Sequence, residues 1–325
     1  MKNYEVKLYE KSDYKNWNAF IGQAKNATFL LHRDFMEYHS DRFQDYSLII
    51  LDEKKWVGVL PANRVGENVY SHQGLTYGGL VYNEKIKLVS VIEIFKRVLS
   101  FLNDAKIEKL QLKLVPSIYH QKPAEEINYA LFLAEAQLIR RDSMAVLDLS
   151  KKISIASGRK EGINKGDKNK LEIKEVDDFE LFWNTILIPN LAKKHQAKPV
   201  HSLQEITKLK KLFPDNIRQF NVYENGIIVA GTTIFETENV AHCQYISGDE
   251  IKNELGGLDL LFHHLISEVF KNKRFFDFGT SNENQGRKLN NGLSYWKESF
   301  GASTVVQDFY EVKTINFTKL ENVLK

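Results

Sequence analysis

One cysteine stands in 325 residues, Cys243. That number excludes an intrachain disulfide and any cysteine-based zinc site, and it points to a reducing compartment. No apolar run approaches the length of about 18 residues that a membrane span needs, and the first ten residues hold no apolar segment of the signal-peptide kind. The chain is therefore expected to be cytoplasmic. Charge of one sign is also scarce. A formal +3 is too small to demand a nucleic-acid partner, so DNA is not expected, and any basic surface is local. Also missing are a phosphate-binding P-loop, a dinucleotide fingerprint after a strand, a Gly-x-Ser-x-Gly elbow and a cysteine–histidine pair for nucleophilic catalysis. His263 and His264 are helix neighbours pointing about 100° apart, which rules out chelation of one metal by the pair. Apolar residues at 43% and charged residues at 27% are ordinary for a globular chain, and the length predicts two domains.

The order of elements reads as a repeat. Strand 4–9 precedes a helix through Trp17, Phe20 and Ile21, and a short helix with its approach loop covers 28–43. Strands 47–51 and 56–65 form a hairpin, and 69–72 is a third strand before the glycine loop Gly74–Gly79. An amphipathic helix with Leu88, Ile92, Phe95, Leu99 and Leu102 on one face leads to strand 110–115, a helix over 125–137 and a strand over 144–149. Residues 150–175 carry eight basic and four acidic side chains, a local net charge of +4, and read as the junction. Past helices at 179–194 and 204–212 the order returns. Strands 218–223 and 227–235 flank Asn225-Gly226, the signature of a type I′ hairpin. A strand over 240–246, a glycine loop, a helix with Leu258, Leu261, Phe262, Leu265 and Val269 on one face, and strand 274–278 follow. Corresponding positions lie roughly 165 to 171 residues apart, as duplication would produce. The predicted class is α/β (α+β), in two domains at 1–150 and 151–325, each a mixed, largely antiparallel sheet flanked by helices.

Strand 275–278 runs into a polar loop from Thr280 to Gly292 and closes on Tyr295, Trp296, Lys297, Phe300 and Gly301. This Phe-Asp-Phe-Gly strand end, polar loop and aromatic-Lys-x-x-Phe-Gly closure, together with the repeated element order and the basic junction at 157–170, resembles the FemAB-like branch of the tandem GNAT acyltransferases. The resemblance implies N-acyl transfer: an amine attacks a carbonyl activated as acyl-CoA or as an aminoacyl-tRNA ester, without a covalent enzyme nucleophile and without a tightly bound cofactor. The acceptor implied is a small molecule or envelope precursor, an amine of a cell-envelope or sugar-nucleotide compound, with tRNA a candidate partner. Catalysis is assigned to Lys297, which would stabilise developing charge, and to Tyr245 on the third strand. Arg33, His195, Lys198, His201, Asn282 and Trp296 are the expected substrate contacts. Lys297, Tyr245 and at least one of His195, Lys198 and His201 are expected to face a shared cleft. Gly256 and Gly257 match the family's phosphate cradle, but with altered spacing and with Asp259 opposing an anion at that helix start. Asp277 and Glu283 are possible bases. Lys297 itself is read as exposed, so that its loss leaves folding nearly unchanged. The other classes open are a FemAB-type transferase using aminoacyl-tRNA and a non-catalytic GNAT-like module that only binds a ligand.

Overall fold

A computed structural model describes residues 4–249 and 252–324, apart from the side chains of Lys194, His195, Lys252 and Asn253. The mixed α/β chain forms two compact units. One comprises Met1–Asp142, Gln285–Arg287 and Val306–Lys325, the other Ser143–Asn284 and Lys288–Val305. The division expected at 150/151 left the last strand with the second domain. Here Val306–Lys325 groups with the first unit, because Phe309–Lys313 pairs antiparallel with Lys109–Lys113. No helix among the described residues is long and apolar enough to cross a membrane.

In the first unit, Tyr4–Leu8, Leu48–Asp52, Lys55–Leu60 and Val81–Tyr82 make an antiparallel sheet. The single strand expected over 56–65 is broken after Leu60. Pro61 has no N–H to give a ladder, and Asn63–Val65 begins a second sheet with Gln44–Asp45, Asn68–Tyr70 and Lys109–Lys113. Asn68–Tyr70 and Lys109–Lys113 run parallel, and Leu88–Asp104 is the helix that connects them. Its Ile92, Phe95, Leu99 and Leu102 pack in one core with Val69, Leu110 and Leu112. Leu88 does not join them and stays exposed. It is the first helical residue, and a helix tilts each Cβ toward its N-terminus, so this side chain points off the end.

The second unit carries the sheet order Glu172–Val176, Ile217–Glu224, Ile227–Glu236, Val240–Gly248, Phe275–Thr280 and then residues 144–148. The Asn225-Gly226 turn has φ of 50° and 83°, the doubly positive pair of a type I′ hairpin. The basic stretch read as a junction is folded into this unit as helix Ser157–Lys168 and strand Glu172–Val176. Glycine at 158, 162 and 166 makes that helix intrinsically poor, at about 1 kcal/mol per glycine. Packing holds it instead. A Cβ on Gly162 would lie 1.8 Å from Asp259 Oδ2, and one on Gly166 would lie 2.7 Å from Leu260 Cβ.

Parallel pairing of Val240–Gly248 with Phe275–Thr280 lasts three positions, ending at His242 opposite Asp277. Both strands are irregular there. Gln244 is an extra residue between Cys243 and Tyr245, and the second strand shifts register between Asp277 and Thr280. A bulge of this kind re-aims side chains. Cys243 and Ile246 pack with the inner core, while Tyr245 meets Trp183 edge to face at 5.0 Å.

Candidate functional site

Alternation in Phe275–Thr280 sends Phe276 and Phe278 into a cluster with Phe262, Trp296 and Phe300. Asp277 lies between them in sequence and is fully buried. Its Oδ1 accepts the Gly279 amide at 2.7 Å, and its Oδ2 accepts from His242 Nδ1 at 2.9 Å. Gly279 has φ of 72°, a turn that a side chain would resist. The polar segment beyond it is not a bare loop, since Asn282–Glu283 pairs with Lys288–Leu289. Asn290 then caps helix Asn291–Glu298 by accepting the Leu293 amide at 3.1 Å. The aromatic closure of the sequence is this helix and the turn after it, where Trp296 on the helix meets Phe300 just beyond its end at 5.2 Å between ring centroids.

Lys297 sits on the same helix and differs from its expected exposure: only 3% of it is accessible. Its ammonium donates to the carbonyls of Gly279 at 3.0 Å and Thr280 at 2.7 Å, the two groups turned out by the bulged strand end. Burial pushes its pKa down to about 8, against the opposing pull of Asp277 and the Cys243 side chain. Burial also raises the Cys243 thiol well above its ordinary range, which makes it a poor nucleophile. Two of the three ammonium hydrogens are committed to carbonyls, and the third has no hydrogen-bond partner among the described residues.

Tyr245 and His201 form a second group. The phenol oxygen accepts the His201 amide at 3.1 Å and lies 2.7 Å from His201 Nδ1. Burial raises the Tyr245 pKa to about 12, so it remains a neutral hydroxyl. Among the described residues no hydrogen bond joins Tyr245 to Lys297. Lys198 is exposed on the segment before helix Leu203–Leu212, and the side chain of His195 lies outside the described residues.

Each of the remaining expected contacts has neighbours it engages within the protein. Asn282 Oδ1 accepts from the Ser143 amide, the Ser143 hydroxyl and Thr280 Oγ1, at 2.7 to 2.9 Å. Trp296 Nε1 donates to Asp259 Oδ1 at 3.2 Å. Arg33, expected on an approach loop, is buried in the first unit and paired with Asp45. Its guanidinium lies 3.4 Å from the Tyr9 ring centroid and 4.1 Å from that of Trp17, and burial lowers its pKa. Gly256 has φ of 77°, and a Cβ there would lie 2.1 Å from Gly162 O, so this glycine admits the backbone of helix Ser157–Lys168. Asp259 beside it is tied to Arg159 at 2.5 Å. His242 went unweighed in the sequence. Its only signal is a place in the register opposite Asp277, which appears once the two strands are known to be parallel.

No family model matches the chain, and no curated protein matches it by sequence. Solved structures do. FemX superposes with a TM-score of 0.67 at 10% identity, over 98% of this chain and 99% of that one. L-PGS from Bacillus licheniformis gives 0.54 at 12% identity, over 81% and 86%. A tandem GNAT protein from the clavulanic acid biosynthesis pathway gives 0.50 at 10%, over 96% and 99%. At such identities the likeness is one of fold, and the chain carries the FemAB-like, tandem GNAT fold that FemX and the clavulanic-pathway protein represent.

Proposed function

We propose that this chain is an N-acyltransferase that moves an acyl or aminoacyl group from an activated donor to an amine of a cell-envelope or sugar-nucleotide precursor, acting in the cytoplasm. The observation that carries this reading is the buried ammonium of Lys297, fixed by two carbonyls with one hydrogen to spare. In the reaction the amine nitrogen attacks the donor carbonyl carbon and the carbonyl electrons move onto oxygen. As the tetrahedral species collapses, the C–N bond remains, the thiolate or ribose oxygen departs and takes a proton, and the amine gives one up. A preorganised cation in a dry site stabilises the oxyanion far better than one in water. Of the two donors, acyl-CoA and aminoacyl-tRNA, the second is favoured by the glycine geometry: the backbone of Ser157–Lys168 already lies against Gly256, where a CoA pyrophosphate would need room.

The test offers the purified chain each donor with an amine-bearing nucleotide sugar and follows the amide product by mass spectrometry. Wild type is expected to turn over with aminoacyl-tRNA, and Lys297→Met to lower kcat/KM by about 10² or more, on the scale of one lost oxyanion donor. A Met variant that keeps wild-type turnover removes Lys297 from the mechanism. Turnover with acyl-CoA alone reverses the choice of donor.

A further inference from the structure

A polar recess lies entirely within the first unit. Strands Asn68–Tyr70 and Lys109–Lys113 stay paired as far as Tyr70 and Gln111. Beyond them the Lys113 amide donates to Ser71 Oγ at 2.8 Å rather than to a neighbouring carbonyl, and the strands part. A cavity of about 460 Å³ opens at that point, with Tyr70, His72, Gln111, Lys113, Arg140 and Phe309 in its wall. That volume suits a small molecule.

The lining is chemically one-sided. Lys113 Nζ donates to Leu75 O at 2.7 Å, and its other two hydrogens have no partner among the described residues. Burial and the nearby Arg140 push its pKa down to about 8, with Asp142 pulling the other way. Arg140 is held in place by Asp142, at 2.9 and 2.6 Å, and by Gln285 Oε1 at 2.9 Å. Its guanidinium lies 4.4 Å from the Phe309 ring centroid, with Lys113 Nζ 5.6 Å from the same centroid. His72 accepts the Gly74 amide on Nδ1 at 3.3 Å, which leaves the ring proton on Nε2 as a donor. Burial lowers its pKa to about 3 and keeps it neutral. No carboxylate lines the cavity among the described residues, since Asp142 is engaged behind Arg140. The ammonium of Lys113, the Asp142-paired guanidinium of Arg140 and a neutral imidazole donor thus face a space whose wall holds no carboxylate among the described residues, and an ammonium so desolvated gains from an anion that enters.

We propose that this cavity binds an oxyanion, a carboxylate or a phosphate, carried on a small body that rests along Phe309 and Tyr70. This is independent of the transfer reaction assigned to Lys297. The experiment is a calorimetric titration of the full chain at low salt with phenyl phosphate and with benzoate, both of which keep their charge above pH 7. Saturable binding at one site per chain is expected for at least one of them. Binding of phenyl phosphate alone identifies a phosphate ligand, and binding of benzoate alone a carboxylate. Lys113→Met is expected to weaken binding roughly tenfold or more, as loss of a charge-assisted donor does. The wild type supplies a second measurement that needs no variant. Lys113 faces Arg140 and Asp142, with His72 neutral, and its deprotonation should lower affinity roughly tenfold from pH 7 to pH 9. Absence of saturable binding by both probes, undiminished binding in Lys113→Met, or an affinity flat across that range overturns the proposal.

Discussion

Each unit brings a lysine to the place where a parallel strand pair separates, and the two lysines arrive by different routes. Lys113 is the last residue of its own strand, whereas Lys297 is supplied by a helix 17 positions beyond Thr280. Burial depresses both to about 8. The difference lies in how many hydrogens are already spent. Lys297 gives two to the carbonyls of a bulged strand end and keeps one, which suits a charge that exists only briefly in a transition state. Lys113 gives one to Leu75 and keeps two beside a cavity, which suits an anion that stays. Similarly lowered pKa values thus leave the two ammonium groups with different capacity, because the local hydrogen-bond count decides what each still has to offer.

The contrast can be broken most directly at Lys297. Besides the loss of about 10² in kcat/KM, Lys297→Met strands two buried carbonyls, and urea unfolding should show a cost of about 1–3 kcal/mol. This differs from the near-neutral effect expected of an exposed lysine. A variant of full stability would mean that water replaces the ammonium at those carbonyls. A comparable stability loss is expected for Asp277→Asn, since the buried carboxylate serves both His242 and the Gly279 amide. That substitution also removes a charge holding the Lys297 pKa up. The alkaline limb of the turnover profile should therefore move below its expected midpoint near 8, while anion binding at Lys113 keeps its own. A shift in both would erase the independence of the two sites.

Smaller effects sharpen the comparison. In the unfolded chain both lysines titrate near 10.5. Between about pH 8 and 10.5 the unfolded state therefore binds more protons than the folded one, and stability contributed by these positions rises with pH. The stability of wild type relative to Lys113→Met should climb through that window, and a flat difference would show Lys113 to be better solvated than its burial implies. The smallest effect is expected at Tyr245→Phe. It removes one hydroxyl from the amide and ring of His201 and should cost about 1 kcal/mol in urea unfolding.

Much of the scaffold is legible in the sequence. Asn225-Gly226 announced its hairpin because only residues tolerant of positive φ satisfy a type I′ turn. The apolar spacing of 92, 95, 99 and 102 announced the first connecting helix. Other features were visible and misread. Gly158, Gly162 and Gly166 lie among lysines, so charge and flexibility suggested a junction, yet two of them are contact points for a neighbouring helix. The motif around Lys297 drew attention to that lysine while leaving its surroundings blank. Nothing in its neighbours states that the carbonyls of Gly279 and Thr280 receive it. Arg33 offered still less, since its partners Tyr9, Trp17 and Asp45 are spread over the first 45 residues.

The sequence by itself determined many of the elements and turns, such as the Asn225-Gly226 hairpin and helix Leu88–Asp104, because these depend on periodicity and backbone preference over a few residues. Only the tertiary structure decided which charges are buried. Desolvation depends on what distant chain packs over a group, as with Lys297 beneath the end of Phe275–Thr280 and Lys113 beside Arg140 and Phe309. Parallel pairing set His242 against Asp277, two residues 35 positions apart that no local pattern connects. Local rules therefore chose the frame, while the pKa and free hydrogens of each lysine, on which any chemistry rests, followed from long-range packing.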